Sequence, residues 1–147
     1  VAGLNGTPYL NSMAGVNRER CDQWLNRKGS VYRWVAVNDT NNVVGHIQVN
    51  EIYGHFLNHL GASSVKYLEI SRLFVTTETI GTGIGRALLG QAVNQIQTDG
   101  LIPILRVSDY LTPAIKLYER TGWVHAGSIS SAISDDTLLV MQYVFPT

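Results

Sequence analysis

The stretch of this 147-residue chain best suited to chemistry is ETIGTGIGRALL, Glu78 to Leu89. Gly81, Gly83 and Gly85 alternate there with Thr82 and Ile84, and Arg86 opens an apolar helical run. A strand, a glycine-rich loop and a helix in that order bring several free backbone N–H groups and the positive end of a helix dipole to one point. Such a point binds anions. Glycine suits it because the backbone must approach the anion closely, in conformations closed to other residues. A nucleotide P-loop would require Gly-Lys-Ser/Thr after its glycines, and this loop ends Gly85-Arg86-Ala87. A dinucleotide fingerprint is spaced G-x-G-x-x-G, whereas these glycines run G-x-G-x-G, and the next strand reaches no acidic residue until Asp109. The plainest alternative is a turn followed by a packed helix start.

Other reactive residue types give weaker patterns. His55 and His59 have a metal-like spacing if helical, but no third ligand accompanies them and Gly54 and Gly61 flank the pair, so no metal is expected. Cys21 is the single cysteine; it excludes an internal disulfide and a Cys-rich zinc site, and fits a reducing cytoplasm. On spacing alone, Tyr118 is an ordinary half-buried aromatic of an amphipathic helix, and Glu69 a surface or hydrogen-bonded structural carboxylate. Trp24 and Trp34 read as core.

The elements that must position the glycine loop are legible from periodicity. Asn17 can cap a helix whose Cys21, Trp24 and Leu25 share a face, ending at Arg27 and Lys28 before Gly29. Val31 to Asn38 and Val43 to Glu51 alternate as two strands of a hairpin around DTNN. Ile52 to Val65 is a connector. Lys66 to Val75 is a third strand, and the loop then enters a helix on which Gly85, Leu88, Leu89, Ala92, Val93 and Ile96 recur at helical spacing. Leu101 to Ser108 is a fourth strand. Thr112 as N-cap and Pro113 at the first helical position open a short helix with Leu111, Ala114, Ile115 and Tyr118 on one side, stopped by Gly122. WVHAGS and TLLVMQYVF complete the set as two strands. This order implies one α/β sheet, parallel across the helical crossovers and antiparallel elsewhere, with helices on its faces.

Eleven basic residues balance eleven acidic ones, so nothing favours nucleic acid or an anionic membrane surface. No apolar stretch approaches the roughly 20 residues of a membrane span, and no signal peptide is visible. A cytoplasmic location is expected. Residues 1–147 read as a single domain, with the Gly- and Asn-rich residues 1–30 abbreviated or truncated; the chain begins at Val1 rather than Met.

EISRLFV before the loop, GRALL after it and AIKLYERTGW some way on together resemble the GCN5-related N-acetyltransferase (GNAT) superfamily, over Val31 to the C-terminus. The superfamily signature Q/R-x-x-G-x-G/A falls on Ile80 to Gly85, with Ile80 in place of Gln or Arg. The resemblance implies a largely antiparallel mixed sheet with a parallel, splayed strand pair and helices on both faces. It implies acetyl-CoA as co-substrate, its pyrophosphate on the amides around Gly81, Gly83, Gly85 and Arg86, with Ile80, Thr82 and Ile84 also at the cofactor. Its pantetheine arm would pair with Leu73, Phe74 and Val75, and Ser108, Asp109 and Ala114 would also meet coenzyme A, with Asp109 where the family has asparagine. Tyr118 would lie near the acetyl sulfur as proton donor, and Glu69 would take the amine proton. Ser71, on the strand face that alternation gives residues 69, 71 and 73, would line the same site, and Tyr53, His55 and Phe56 the acceptor pocket. The activity implied is N-acetyl transfer to a primary amine of a small molecule or peptide by direct attack; the alternative is a non-catalytic acyl-CoA-binding or regulatory module. A homodimer through the β-rich C-terminal end is compatible with the pattern.

Overall fold

The computed structural model describes residues 25–26, 28–52, 66–133 and 136–146, giving backbone alone for 131–133 and 136–140. The expected helix from Asn17 and the Ile52–Val65 connector, with Tyr53, His55, Phe56 and His59, therefore fall wholly or largely outside the described residues. So do Cys21 and Trp24.

Six strands form one sheet: β1 (Ser30–Val37), β2 (Val43–Glu51), β3 (Tyr67–Val75), β4 (Ile102–Ser108), β5 (Val124–Ile133) and β6 (Asp136–Val144). Their spatial order is β1-β2-β3-β4-β6-β5. Only β3 and β4 pair parallel; all other neighbours are antiparallel. Between β3 and β4 runs α1 (Ile84–Thr98), and between β4 and β5 runs α2 (Thr112–Arg120). A helical crossover is what two parallel neighbours require, since no tight turn can join them. β6 inserts itself between β4 and β5, so the second crossover does not end beside its starting strand.

The Asn38–Asn42 turn closes the β1–β2 hairpin because the Asn38 side-chain oxygen accepts from the Thr40 and Asn42 N–H groups at 3.1 and 2.9 Å. α1 buries Leu88, Leu89, Ala92, Val93 and Ile96 against Ile47, Val49, Leu68, Ile70, Leu105 and Val107. Five such buried side chains contribute on the order of 10 kcal/mol of gross apolar transfer, ample to hold α1 on the sheet. α2 packs on the same face, with Tyr118 against Tyr143 of β6, itself the register partner of Leu105. Both described helices thus lie on one side of the sheet.

Register places His46, Gln48, Asn50, Glu69, Ile104, Arg106 and Gln142 on the opposite face. β2 is buried on both faces from Val44 to Asn50, which is why it carries a row of buried polar side chains rather than a solvent-facing one. At α2 the structure corrects the cap expected from sequence. Leu111 is the N-cap, Thr112 is the first helical residue and no side chain caps the helix. The first helical bond runs from the Ile115 N–H to the Leu111 carbonyl at 3.0 Å, one position earlier than a Thr112 cap would give.

Candidate active site

β3 and β4 pair only from Tyr67–Ile102 to Ile70–Leu105, and then separate. The separation follows a bulge in β3. Gln48 faces Ser71 and His46 faces Phe74, so Arg72 and Leu73 together oppose the single residue Ile47. Arg72 has φ +51°, a left-handed conformation that glycine ordinarily supplies at this kind of bulge. An inserted residue bends its strand and reverses the alternation of side chains beyond it. Glu69 and Ser71 therefore share a face with Phe74, whereas Leu73 turns to the helix side and packs on the core. This corrects the simple alternation that put residues 69, 71 and 73 together.

Where the strands part, Leu73, Phe74, Val75, Ile80, Gly85, Ala114, Leu117 and Tyr118 line a cleft of about 190 Å³. Six of these were expected at the cofactor site alone and Tyr118 at both cofactor and chemistry; Leu117 was not singled out. Its signal was present, since Ala114, Leu117 and Tyr118 stand at i, i+3 and i+4 of one helix. A larger groove of about 430 Å³ lies between β1 and α1, lined by Trp34, Val35, Ala36, Ile84, Ala87, Leu88 and Gln91. Among the described residues none of those lining it is ionisable.

At the mouth of the smaller cleft, a single 3₁₀ turn (Thr77–Thr79) leads into the glycine loop. The Thr76 N–H donates to the Val44 carbonyl at 2.8 Å, tying the end of β3 to β2. Gly81 and Gly83 have φ +80° and +89°, and a Cβ on either would meet nothing within 4 Å. The first helical bond of α1 runs from the Ala87 N–H to the Gly83 carbonyl at 3.0 Å. The N–H groups of Ile84, Gly85 and Arg86 consequently have no intrahelical partner and project from the helix start. Open space beside left-handed glycines, with unpartnered amides, is a cradle for an anion. Beneath it Gly45 passes so close to α1 that a Cβ would stand 2.9 Å from Leu88 Cδ1 and 3.1 Å from Ile84 Cγ2. Nothing in the sequence marked this glycine.

Tyr118 stands with its ring edge-on to Trp123 at 6.1 Å and tilted against Tyr143 at 6.4 Å. Burial pushes its phenol up to about 12, so the hydroxyl stays protonated at any physiological pH. Glu69 is 2% exposed, and its Oε2 accepts from Arg106 Nε, 37 residues away. The Asn50 amide donates to Ser71 Oγ, as does Arg72 Nη1 at 3.1 Å. The side-chain oxygens of Gln48 and Asn50, buried on the same face, take no hydrogen bond from the described residues. Arg106, Asn50 and Gln48 were not legible as site residues, because only the register brings them beside Glu69 and Ser71. Ser108 is buried near the end of β4 and Asp109 is exposed in the turn after it; neither lines the cleft.

Among the described residues no cluster of three or more His, Cys, Asp or Glu could hold a metal, and no helix is long and apolar enough to cross a membrane.

The family model described as "Acetyltransferase (GNAT) family" matches residues 7–123. No curated protein matches the sequence at a significant level. Among solved structures, Arabidopsis thaliana NAA60 in complex with acetyl-CoA superposes with a TM-score of 0.70 at 16% identity, over 94% of this chain and 90% of that one. The NatC complex bound to Gag peptide and CoA gives 0.64 at 19% identity, covering 78% and 70%. Nourseothricin acetyltransferase gives 0.59 at 26% identity, covering 78% and 65%.

Proposed function

This chain belongs to the GNAT acetyltransferase family, and on that premise we propose that it is an acetyl-CoA-dependent N-acetyltransferase acting on a primary amine by direct attack. The observation that carries the reading is the cleft itself. β3 parts from β4 after Ile70, and the gap runs from the glycine loop to Tyr118.

The residues fit coenzyme A. The amides of Ile84, Gly85 and Arg86, reached past Gly81 and Gly83 where no Cβ intrudes, suit a pyrophosphate. The edge of β3 that β4 no longer pairs, Leu73 to Val75, offers backbone groups to an amide-bearing arm, as a sheet edge does for an added strand. Ile80, Leu117 and Ala114 make the cleft wall apolar, which keeps water from competing for the reacting acyl group. Bound acetyl-CoA supplies the acetyl group as an activated thioester.

Tyr118 holds a proton at its hydroxyl and donates a hydrogen bond where negative charge develops on the leaving sulfur. Full transfer from a phenol at about 12 to a thiolate of ordinary basicity, about 8.5, is uphill by roughly 5 kcal/mol. Tyr118 therefore acts chiefly by hydrogen-bond donation, and transfers its proton only as the sulfur departs. Glu69, held in place by Arg106, accepts the proton of the attacking amine at its carboxylate, directly or through water. Buried oxygens of Gln48 and Asn50 on the same sheet face are suited to a donor-rich ammonium. The acceptor is a small-molecule or peptide amine, and positioning beside the thioester supplies much of the acceleration.

Calorimetry with acetyl-CoA is the first test, followed by a panel of amines assayed with wild type, Tyr118→Phe and Glu69→Gln. Micromolar binding with turnover on at least one amine, reduced in both variants, is expected. Failure of the wild type to bind acetyl-CoA would remove the reading. Binding without turnover on any amine would point to a non-catalytic acyl-CoA module instead.

A further inference from the structure

His46 of β2 contacts Arg72, the residue held in a left-handed conformation at the bulge. Its Nδ1 lies 2.9 Å from the Arg72 carbonyl oxygen, and its ring stacks on Phe74 at 5.1 Å with 15° between the planes. We propose that His46 is a positioning residue for acetyl transfer: it holds the Arg72 carbonyl toward β2 and so turns the N–H of Leu73 into the opened cleft, as donor to the thioester carbonyl. The proposal rests on the acetyl-CoA reading above.

The argument starts from the backbone. A non-glycine residue in the left-handed region costs roughly 1–2 kcal/mol, so the surrounding structure must hold Arg72 there. Three contacts do so. The imidazole binds the Arg72 carbonyl, Arg72 Nη1 donates to Ser71 Oγ at 3.1 Å, and Asn50 fixes the same hydroxyl from β2. Of these only the imidazole grips the peptide between Arg72 and Leu73. That peptide is planar and trans, so its N–H points opposite to its C=O. With the carbonyl drawn toward β2, the Leu73 N–H faces the side from which β4 has withdrawn.

A carbonyl accepts, so Nδ1 carries the hydrogen. Burial lowers the pKa of the imidazole from its ordinary value, the bond to the Arg72 carbonyl opposes this, and the Arg33 and Arg72 charges add to the lowering. The ring is consequently a neutral donor near pH 7, committed to one bond. A donor fixed before the reaction stabilises developing negative charge on the carbonyl oxygen without reorganising. Once that bond is lost, the imidazole no longer draws the Arg72 carbonyl toward β2, and the orientation of the strained peptide changes.

The test uses the full chain with [1-¹³C]acetyl-CoA as probe. Isotope-edited infrared difference spectra of the bound thioester are recorded for wild type, His46→Phe and His46→Asn, with acetyl-CoA affinity measured by calorimetry. Phenylalanine keeps a ring for Phe74 and removes the donor; asparagine restores an N–H at similar reach. The carbonyl band is expected at lower frequency in wild type and His46→Asn than in His46→Phe, with affinities within about threefold because the His46 ring contacts Arg72 and Phe74 and not the amides at the start of α1. Once an acceptor is known, kcat should fall about 100-fold in His46→Phe, the usual cost of one lost oxyanion donor, with KM for acetyl-CoA held. An identical band in wild type and His46→Phe overturns the proposal, as does a folded His46→Asn that fails to restore it, while acetyl-CoA binding would leave the cofactor reading intact. Absence of acetyl-CoA binding by the wild type removes both. Should His46→Phe not fold, His46→Leu against His46→Asn makes the same comparison.

Discussion

Two alanine substitutions about 10 Å apart along one helix should have opposite effects. Gly83 and Gly90 both stand in open space, with nothing within 4 Å of an added Cβ, so neither change involves a clash. What differs is the backbone. Gly83 caps α1 at φ +89°, ψ 1°, where alanine costs roughly 1–2 kcal/mol. Gly90 is an exposed helical residue without a positive φ, where alanine gains roughly 0.5–1 kcal/mol. At about 2–4 °C per kcal/mol for a chain of this size, Gly83→Ala should lower Tm by about 2–8 °C and Gly90→Ala should raise it by about 1–4 °C. Binding separates them again. A methyl on Gly83 projects into the space an anion must occupy to reach the Ile84, Gly85 and Arg86 amides, so acetyl-CoA affinity should fall at least about tenfold, or about 1.4 kcal/mol. Gly90→Ala should bind as wild type does. Thermal unfolding by circular dichroism and isothermal calorimetry read both quantities. A Gly83→Ala protein that binds acetyl-CoA as tightly as wild type would refute the assignment of the loop as the pyrophosphate cradle.

Tyr118→Phe should lower kcat by about 100-fold with acetyl-CoA affinity preserved. Its pKa of about 12 in the folded chain against 10 unfolded means that the folded state binds the phenolic proton more tightly. The stabilisation is complete below pH 10 and is lost as pH rises through 12, about 3 kcal/mol in denaturant titrations, and Tyr118→Phe should remove that part of the slope. Arg106→Met removes the guanidinium from beside the carboxylate of Glu69, 2% exposed, and should cost about 3 kcal/mol, more than Glu69→Gln, which leaves a neutral acceptor beside a guanidinium 22% exposed. Urea unfolding of the two variants compares them, and equal losses would count against a buried pair. Gly45→Ala drives a methyl against Leu88 and Ile84 at the start of α1 and should destabilise by about 1–3 kcal/mol, weakening acetyl-CoA binding as well because the loop rides on that helix turn. A variant with wild-type Tm and affinity would show that α1 shifts at no cost.

The glycine loop was legible because its requirement is local. Gly81 and Gly83 adopt conformations that few other residue types hold, and the requirement is therefore visible in the residue types alone. The strands and the two crossover helices were legible for the same reason, since side-chain period follows from backbone geometry within a few residues. Tyr118 was marked only by the resemblance of AIKLYERTGW to the family pattern, since spacing alone made it an ordinary half-buried aromatic; it lines the cleft. The bulge escaped detection because Arg72, not glycine or proline, occupies it, and nothing in EISRLFV announces a left-handed residue. Simple alternation therefore failed after Ser71 and assigned Leu73 to the wrong face. The Glu69–Arg106 pair joins residues 37 apart through the register of a parallel ladder, which no local pattern encodes. The entry of β6 between β4 and β5 likewise depends on pairing between distant segments, which no local pattern encodes. Residue type sets the dihedrals a segment can hold, and periodicity sets the face it buries; the partner across the sheet is chosen by packing over the whole chain. Chemistry that needs two strands, here the grip of His46 on Arg72 and the grip of Arg106 on Glu69, exists only after that choice has been made.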